Sequence, residues 1–235
     1  LAATPRIRLS QTDPFGTITN NFNSTMVVAE YARRERIPLF FAASSSTRFL
    51  HHHDNPYTFS KSMNEELLEL YRKRFDLEYH MLYFYNVYGP READYGEYST
   101  VVRAFKKCVE SDQPLRIFGS GKKERDFTHI HDVIDGIIQL LTSKNKPKHV
   151  HLGSGNPVSI MDLAKAFDHS IVHEFDKKGE ADVTECADPY IEAEYDVISY
   201  VKKWKSDFEE ERILHNVNKD LRKVEKKYAK TDSGQ

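Results

Sequence analysis

Glycine is scarce in this 235-residue sequence, with ten residues in all, and neither a Gly-x-x-Gly-x-x-Gly nor a Gly-x-Gly-x-x-Gly turn occurs in it. Such a turn cradles a pyrophosphate at a helix N-terminus, so that device is excluded from these residues. Cysteine is scarcer still. Cys108 and Cys186 are the two present, too few for a disulfide scaffold and too far apart for a Cys-x-x-Cys site; they point to a reducing compartment and inert thiols. No apolar run approaches the roughly 18 residues that span a bilayer, and no charged-apolar-small leader opens the chain, so a soluble, cytoplasmic protein without membrane contact is expected. An excess of positive charge is missing too: 34 Lys and Arg against 36 Asp and Glu leave a net charge of −2, which argues against nucleic-acid binding. The first residue is Leu, not Met.

What remains is globular in character, with 39% hydrophobic and 30% charged residues over a length that buries a sizeable core. Ile18, Phe22, Met26, Val27 and Tyr31 recur at helical spacing and predict a helix over 13–36, opened by Asp13 and Pro14. Pro38-Leu39-Phe40-Phe41-Ala42-Ala43 is an apolar run too short for a helix, the pattern of a parallel strand buried on both faces. A second helix is expected over 57–75, with Met63, Leu67, Leu70 and Tyr71 on one side, then a strand over 78–85 and a loop over 86–96. Further helices are expected around Val101 to Val109 and over 132–141, 160–167 and 191–204, with strands over 115–118, 126–129 and 149–152. Strands alternating with helices predict an α/β fold with a parallel sheet. After Trp204, sparse apolar residues among Glu, Lys and Arg predict a solvated helix over 208–230; a partner-binding segment is the alternative.

The sharpest chemical signal is Asn55-Pro56-Tyr57-Thr58-Phe59-Ser60-Lys61. Tyr57 and Lys61 stand one turn apart on one helical face. An ammonium near a phenol favours the phenolate, which makes Tyr57 a candidate base below the usual phenol pKa of about 10. The preceding strand ends in Ser44-Ser45-Ser46, at the carboxyl end where open α/β sheets place their ligands, so Ser46 can share a substrate oxygen with Tyr57. Against this, Tyr-x-x-x-Lys occurs by chance in many helices, and serines at a strand end are common loop formers.

Leu1-Ala2-Ala3, Asn20-Asn21-Phe22-Asn23-Ser24-Thr25, Ser44-Ser45-Ser46, the Tyr57 to Lys61 segment, Asn86-Val87-Tyr88-Gly89-Pro90-Arg91, Gly119-Ser120-Gly121, Arg125-Asp126-Phe127 and Leu152-Gly153-Ser154-Gly155 follow one another in a familiar order. Their order and spacing resemble the extended short-chain dehydrogenase/reductases, and among these the NAD-dependent nucleotide-sugar epimerases and dehydratases of the UDP-glucose 4-epimerase type. The resemblance implies a Rossmann-like, doubly wound parallel sheet with a smaller substrate-binding lobe. The Rossmann core would be residues 1–85 and 130–154, the lobe 86–129 and 155–204, and a charged tail 205–235. It implies Tyr57 as base, with Lys61 on the nicotinamide ribose and Ser46 as hydroxyl partner. Ala2, Ala3, Asn20, Ser44 and Tyr85 would join them in holding NAD, and Asn86, Arg125, Lys177 and Glu180 would grip a nucleotide sugar, a UDP-sugar in the type enzyme. Nothing over 115–118 separates uridine from thymidine or guanosine. The helices over 13–36 and 57–75 match the pair through which the family forms homodimers.

Three departures qualify the resemblance. The Gly-rich turn and the acidic residue that read the adenosine end of NAD are missing, as though a dinucleotide fold were entered partway through. The segment between Ser46 and Tyr57 is short and carries His51-His52-His53, read as an exposed loop because neighbouring residues rarely converge on one metal ion; no metal is expected. Thr47 and Arg48 stand where sugar dehydratases carry an acidic pair, which weakens dehydration or decarboxylation and favours 4-epimerisation, with a 4,6-dehydratase or ketosugar reductase of the same family as an alternative. A catalytically inactive sugar-nucleotide-binding or dimerisation remnant is the remaining alternative.

Overall fold

The computed structural model describes residues 3–5, 7–94, 99–176 and 180–231, with backbone alone at 220, 221 and 223–231. A short helix, α1 (Ile7–Thr12), leads into α2 (Pro14–Glu35). The Asp13 side chain accepts from the Gly16 N–H and starts α2, Pro14 fills its first turn, and Arg36 ends it in the left-handed region at φ 56°. Strand β1 (Leu39–Ser44) is followed by the single turn α3 (Ser46–Phe49) and then by α4 (Pro56–Phe75), β2 (Tyr79–Phe84) and β3 (Val87–Tyr88). Beyond them come α5 (Val101–Glu110), β4 (Leu115–Phe118), β5 (Glu124–Asp126), β6 (Thr128–His129), α6 (Ile130–Thr142) and β7 (His149–Leu152). The chain continues through β8 (Pro157–Ser159), α7 (Ile160–Ala166), β9 (Ile171–Glu174), β10 (Val183–Thr184) and α8 (Val197–Thr231).

Strands β1, β2 and β7 form a parallel sheet in that order, with Ser44 beside Phe84 and Phe84 beside Leu152 at the carboxyl ends. Alternation along β2 separates two cores. Tyr79, Met81 and Tyr83 pack with Ala29 and Ala32 of α2 and Leu68 of α4, whereas Leu82 packs with Val133 and Leu140 of α6. Helices thus cover both faces, as expected of a doubly wound sheet. A third core joins α5, β4, α7 and the start of α8 through Phe105, Ile117, Leu163, Phe167, Val197 and Val201.

Four expectations change. β1 is half-buried for most of its length and pairs with β2 alone among the described strands, whereas β2, between β1 and β7, is buried despite its His and Tyr residues. On α2 the buried positions are Thr17, Asn21, Thr25, Ala29 and Ala32, while Val27 is 66% and Tyr31 59% exposed. Small and polar side chains let α2 approach α4 closely, and the apolar stripe faces outward. The last helix starts at Val197, not 191, and has no break at Trp204, since Trp204 and Phe208 stack on each other against the third core. The short strands β3, β8, β9 and β10 add three small sheets that periodicity did not announce, being two to four residues long.

Asp126 ties the sheets together. Fully buried, it accepts from the Ser154 N–H (2.8 Å) and hydroxyl (2.7 Å), the Gly155 N–H (2.9 Å) and the Cys186 N–H (2.9 Å). Gly155 has φ +73°, the left-handed conformation that its position requires. Asp126→Ala would leave the buried Cys186 N–H and the half-buried Ser154 and Gly155 donors without their acceptor, so a loss of about 3 kcal/mol is expected in chemical denaturation. Full stability of the variant would contradict that role.

Candidate active site

The carboxyl end of β1 delivers Ser44, and the turn after it delivers Ser46. Their hydroxyls lie 2.9 Å apart, and the Thr58 hydroxyl donates to Ser46 at 3.3 Å. Thr58 sits in the first turn of α4, which Asn55 caps by accepting from the Thr58 N–H at 2.8 Å. The capping turn therefore brings Tyr57, beside Thr58, to the same strand end as Ser46. One turn on, Lys61 is 6% exposed, donates to the Ala42 carbonyl at 3.0 Å, and holds Nζ 6.0 Å from the Tyr57 ring centroid. Burial lowers the Lys61 pKa to about 8, against a smaller opposing effect of Glu65.

Asn20, expected at the cofactor, is exposed on α2 and donates to the Thr4 hydroxyl at 3.1 Å. Its neighbour Asn21 is the buried one. It donates to Ser60 of α4 at 3.0 Å and accepts from the Thr4 N–H at 2.7 Å. The signal for Asn21 was the four-residue spacing of Thr17, Asn21 and Thr25, outweighed by the neighbouring apolar stripe. Ala3 is half-buried just before α1, and Ala2 and Lys177 lie outside the described residues. Tyr85 is buried between Phe49 and His151, its hydroxyl 2.9 Å from His151 Nδ1, and desolvation pushes its pKa well up.

A second group of candidates meets along β5 and β10. Asn86, exposed just past the carboxyl end of β2, donates to the Asp126 carbonyl at 3.0 Å and the Thr184 hydroxyl at 3.3 Å. Arg125 pairs with Glu180 at 3.2 Å, with the Arg125 side chain 12% exposed, and also donates to the Glu124 and Asp182 carbonyls. Asn86, Arg125 and Glu180 thus gather around one strand pair. Thr47 and Arg48 both bind Glu65, at 2.7 and 2.5 Å.

The hydroxyl group of Ser44, Ser46 and Thr58, with Tyr57 and Lys61 alongside, fits the nicotinamide-ribose end of NAD. Asn55 Nδ2, buried at the head of α4 without a hydrogen-bond partner among the described residues, is a further donor. No residues of this sequence supply the Gly-rich pyrophosphate turn. Both thiols are free; burial raises the pKa of Cys108 and lifts Cys186 to about 11, as inert thiols require. Among the described residues no helix is long and apolar enough to cross a membrane.

The chain is 28% identical over 187 residues to the UDP-glucuronate 4-epimerase of Thermodesulfobacterium geofontis, covering 73% of this chain and 55% of that protein. It spans about half the length of the curated relatives it matches. Its fold is similar to UDP-glucose 4-epimerase from Thermotoga maritima, solved with UDP-glucose, at TM-score 0.77 and 22% identity, covering 89% of this chain and 76% of that one. Against UDP-glucuronic acid 4-epimerase from Bacillus cereus, solved with UDP-glucuronic acid and NAD, the TM-score is 0.73 at 25% identity, covering 86% and 71%. Residues 1–153 match the NAD dependent epimerase/dehydratase family. With the Tyr57–Lys61 pair at the carboxyl end of a parallel sheet, the chain belongs to that family.

Proposed function

We propose that this chain carries the base and substrate side of a 4-epimerase for nucleotide sugars, UDP-sugars in the first instance, working with NAD in the cytoplasm. The observation that carries it is Tyr57 one turn from buried Lys61 in the first turns of α4, where the adjoining Thr58 hydroxyl bonds Ser46 and, through it, Ser44 at the end of β1. The named relatives support the substrate class, since they are described as 4-epimerases of UDP-sugars.

In this mechanism Tyr57 takes the proton of the sugar 4-hydroxyl while Ser46 hydrogen-bonds the same oxygen. The Lys61 charge favours the phenolate and holds the ribose hydroxyls. When bound, NAD supplies an acceptor and donor of hydride at C4. Arg125 and Asn86 keep hold of the diphosphate while the oxidised sugar turns, and Tyr57 returns the proton to an oxygen now on the opposite face. Every atom removed is restored, so the sugar leaves with one centre inverted. Thr47 and Arg48, both engaged with Glu65, provide no acidic pair for water elimination and favour epimerisation over dehydration.

Arg125 makes the substrate side testable. A guanidinium holds phosphate oxygens through two donors, and in the free protein it is occupied by Glu180. Calorimetric titration with UDP is expected to show Arg125→Met binding about 10- to 100-fold more weakly than the parent, as for the loss of charged hydrogen bonds. Equal affinities would remove Arg125 from the site. Failure of the parent to bind either UDP or NAD would favour a catalytically inactive dimerisation module.

The outward apolar faces of α2 and α4 support a homodimer. Val27, Tyr31 and Leu70 are each at least half exposed there, as are the neighbouring Phe15 and Phe75 at 80% and 50%. Sedimentation velocity is expected to give twice the 27.3 kDa chain mass, and Val27→Glu the single mass. A monomeric parent would contradict this.

A further inference from the structure

The loop between α3 and α4 contradicts the reason for dismissing its histidines. The His51 N–H donates to Asp54 Oδ2 at 2.8 Å, and the Asp54 N–H donates back to the His51 carbonyl at 2.9 Å. This closed turn gathers three consecutive side chains on one side of the loop. The ring centroids are 4.2 Å apart for His51 and His52, 4.0 Å for His52 and His53, and 5.0 Å for His51 and His53. One ring nitrogen from each lies within 4.8 Å of the others, and all three residues are exposed. His53 also lies along Phe59 of α4, with 6.4 Å between centroids, which steadies one side of the group.

We propose that His51, His52 and His53 bind one divalent transition-metal ion of the zinc, nickel and copper class through three imidazole nitrogens, leaving a fourth position to water. The donor set decides the class: imidazole suits these ions, whereas magnesium and calcium require oxygen ligands. Zinc–nitrogen bonds of about 2.0–2.1 Å in a tetrahedral site put ligand nitrogens roughly 3.4 Å apart. The exposed side chains therefore need to close by little more than an ångström, which rotation about their own bonds supplies. Ligation by His51 gives up only the long 3.3 Å contact that its Nδ1 accepts from the His53 N–H, because Nδ1 either takes the ion itself or carries the ring proton when Nε2 does. Asp54, fixed on the His51 backbone, keeps a negative charge near the ion. The loop joins the segment of Ser46 to that of Tyr57, so a bound ion would cross-link the connection between two residues of the proposed active site without touching either.

The test is competition between the untagged full chain and a chromophoric chelator for zinc. The parent is compared with His51→Gln/His52→Gln/His53→Gln and with His52→Gln alone. One tightly held zinc per chain is expected, with affinity at least 30-fold lower in the triple variant and intermediate in the single one. Excess magnesium or calcium should not compete. The chain holds eleven histidines, so the comparison of variants, rather than binding alone, decides the location. Cobalt substitution should give the visible absorption of a four-coordinate site of three nitrogens and one water in the parent alone. Equal zinc affinity in parent and triple variant, or parent binding no tighter than millimolar, would overturn the proposal. All three substitutions fall on exposed side chains, and unchanged thermal melts would show that the fold is intact.

Discussion

Tyr57→Phe is expected to lower turnover by about 10²- to 10⁴-fold, the range that a positioned acid–base group contributes. The variant loses one oxygen atom and retains the backbone N–H through which residue 57 is held to the Ser10 hydroxyl at 3.1 Å. Its thermal melt should therefore follow that of the parent, and its affinity for UDP should be unchanged, because Arg125 and Asn86 lie on other elements. A fall in kcat with KM and stability preserved identifies a group that acts on the reacting oxygen. Retention of full activity would remove Tyr57 as the base, leaving Ser46 and Thr58 as the nearby hydroxyls to examine.

The second large effect concerns Lys61 and is read without substrate. Its pKa is lowered to about 8 by burial, from an ordinary 10.5. Below pH 8 the amine is charged in both folded and unfolded chains, and the folded state bears the desolvation. Between pH 8 and 10.5 the folded chain has released the proton while the unfolded chain still binds it. The unfolded state then binds more protons, so the contribution of Lys61 to stability rises with pH. Between pH 7 and pH 9.5 the parent should gain about 2 kcal/mol relative to Lys61→Met, from the difference between the two pKa values. Urea denaturation of both proteins across that range measures the difference, and the subtraction removes the tyrosines that titrate higher. A constant difference would show that Lys61 is not desolvated as its burial implies. The same substitution should raise the pH at which turnover is half-maximal, because the phenol then lacks a neighbouring cation.

The local signals of helix ends and active-site spacing were legible in the sequence because they are short-range. Asp13 with Pro14, and Asn55 with Pro56, start α2 and α4 where their chemistry requires. The four-residue interval from Tyr57 to Lys61 survives as proximity on one turn. What was not legible depends on neighbours. The apolar stripe of α2 reads as a core face by periodicity alone, yet α4 is met by Asn21, Thr25, Ala29 and Ala32, because close helix contact and buried amide pairs select small and polar residues there. Likewise, whether 39–44 or 79–84 forms the sheet centre depends on strand order, which the composition of either strand does not encode. At His51 to His53 the intervening turn, not the residue types, decides that three consecutive rings converge. Adjacency in sequence would pair Arg125 with Asp126. Instead its partner is Glu180, while buried Asp126 is consumed by N–H groups from residues 154, 155 and 186, contacts between segments distant in sequence.

The most direct test is proton NMR of UDP-glucose, UDP-glucuronate and UDP-N-acetylglucosamine, each incubated separately with the protein and NAD. The anomeric region should show the C4 epimer of at least one of them growing in at the expense of its parent until the two reach equilibrium, with the nucleotide intact. A 4-keto-6-deoxy product, or all three sugars unchanged under conditions where UDP and NAD bind, would contradict the 4-epimerase assignment.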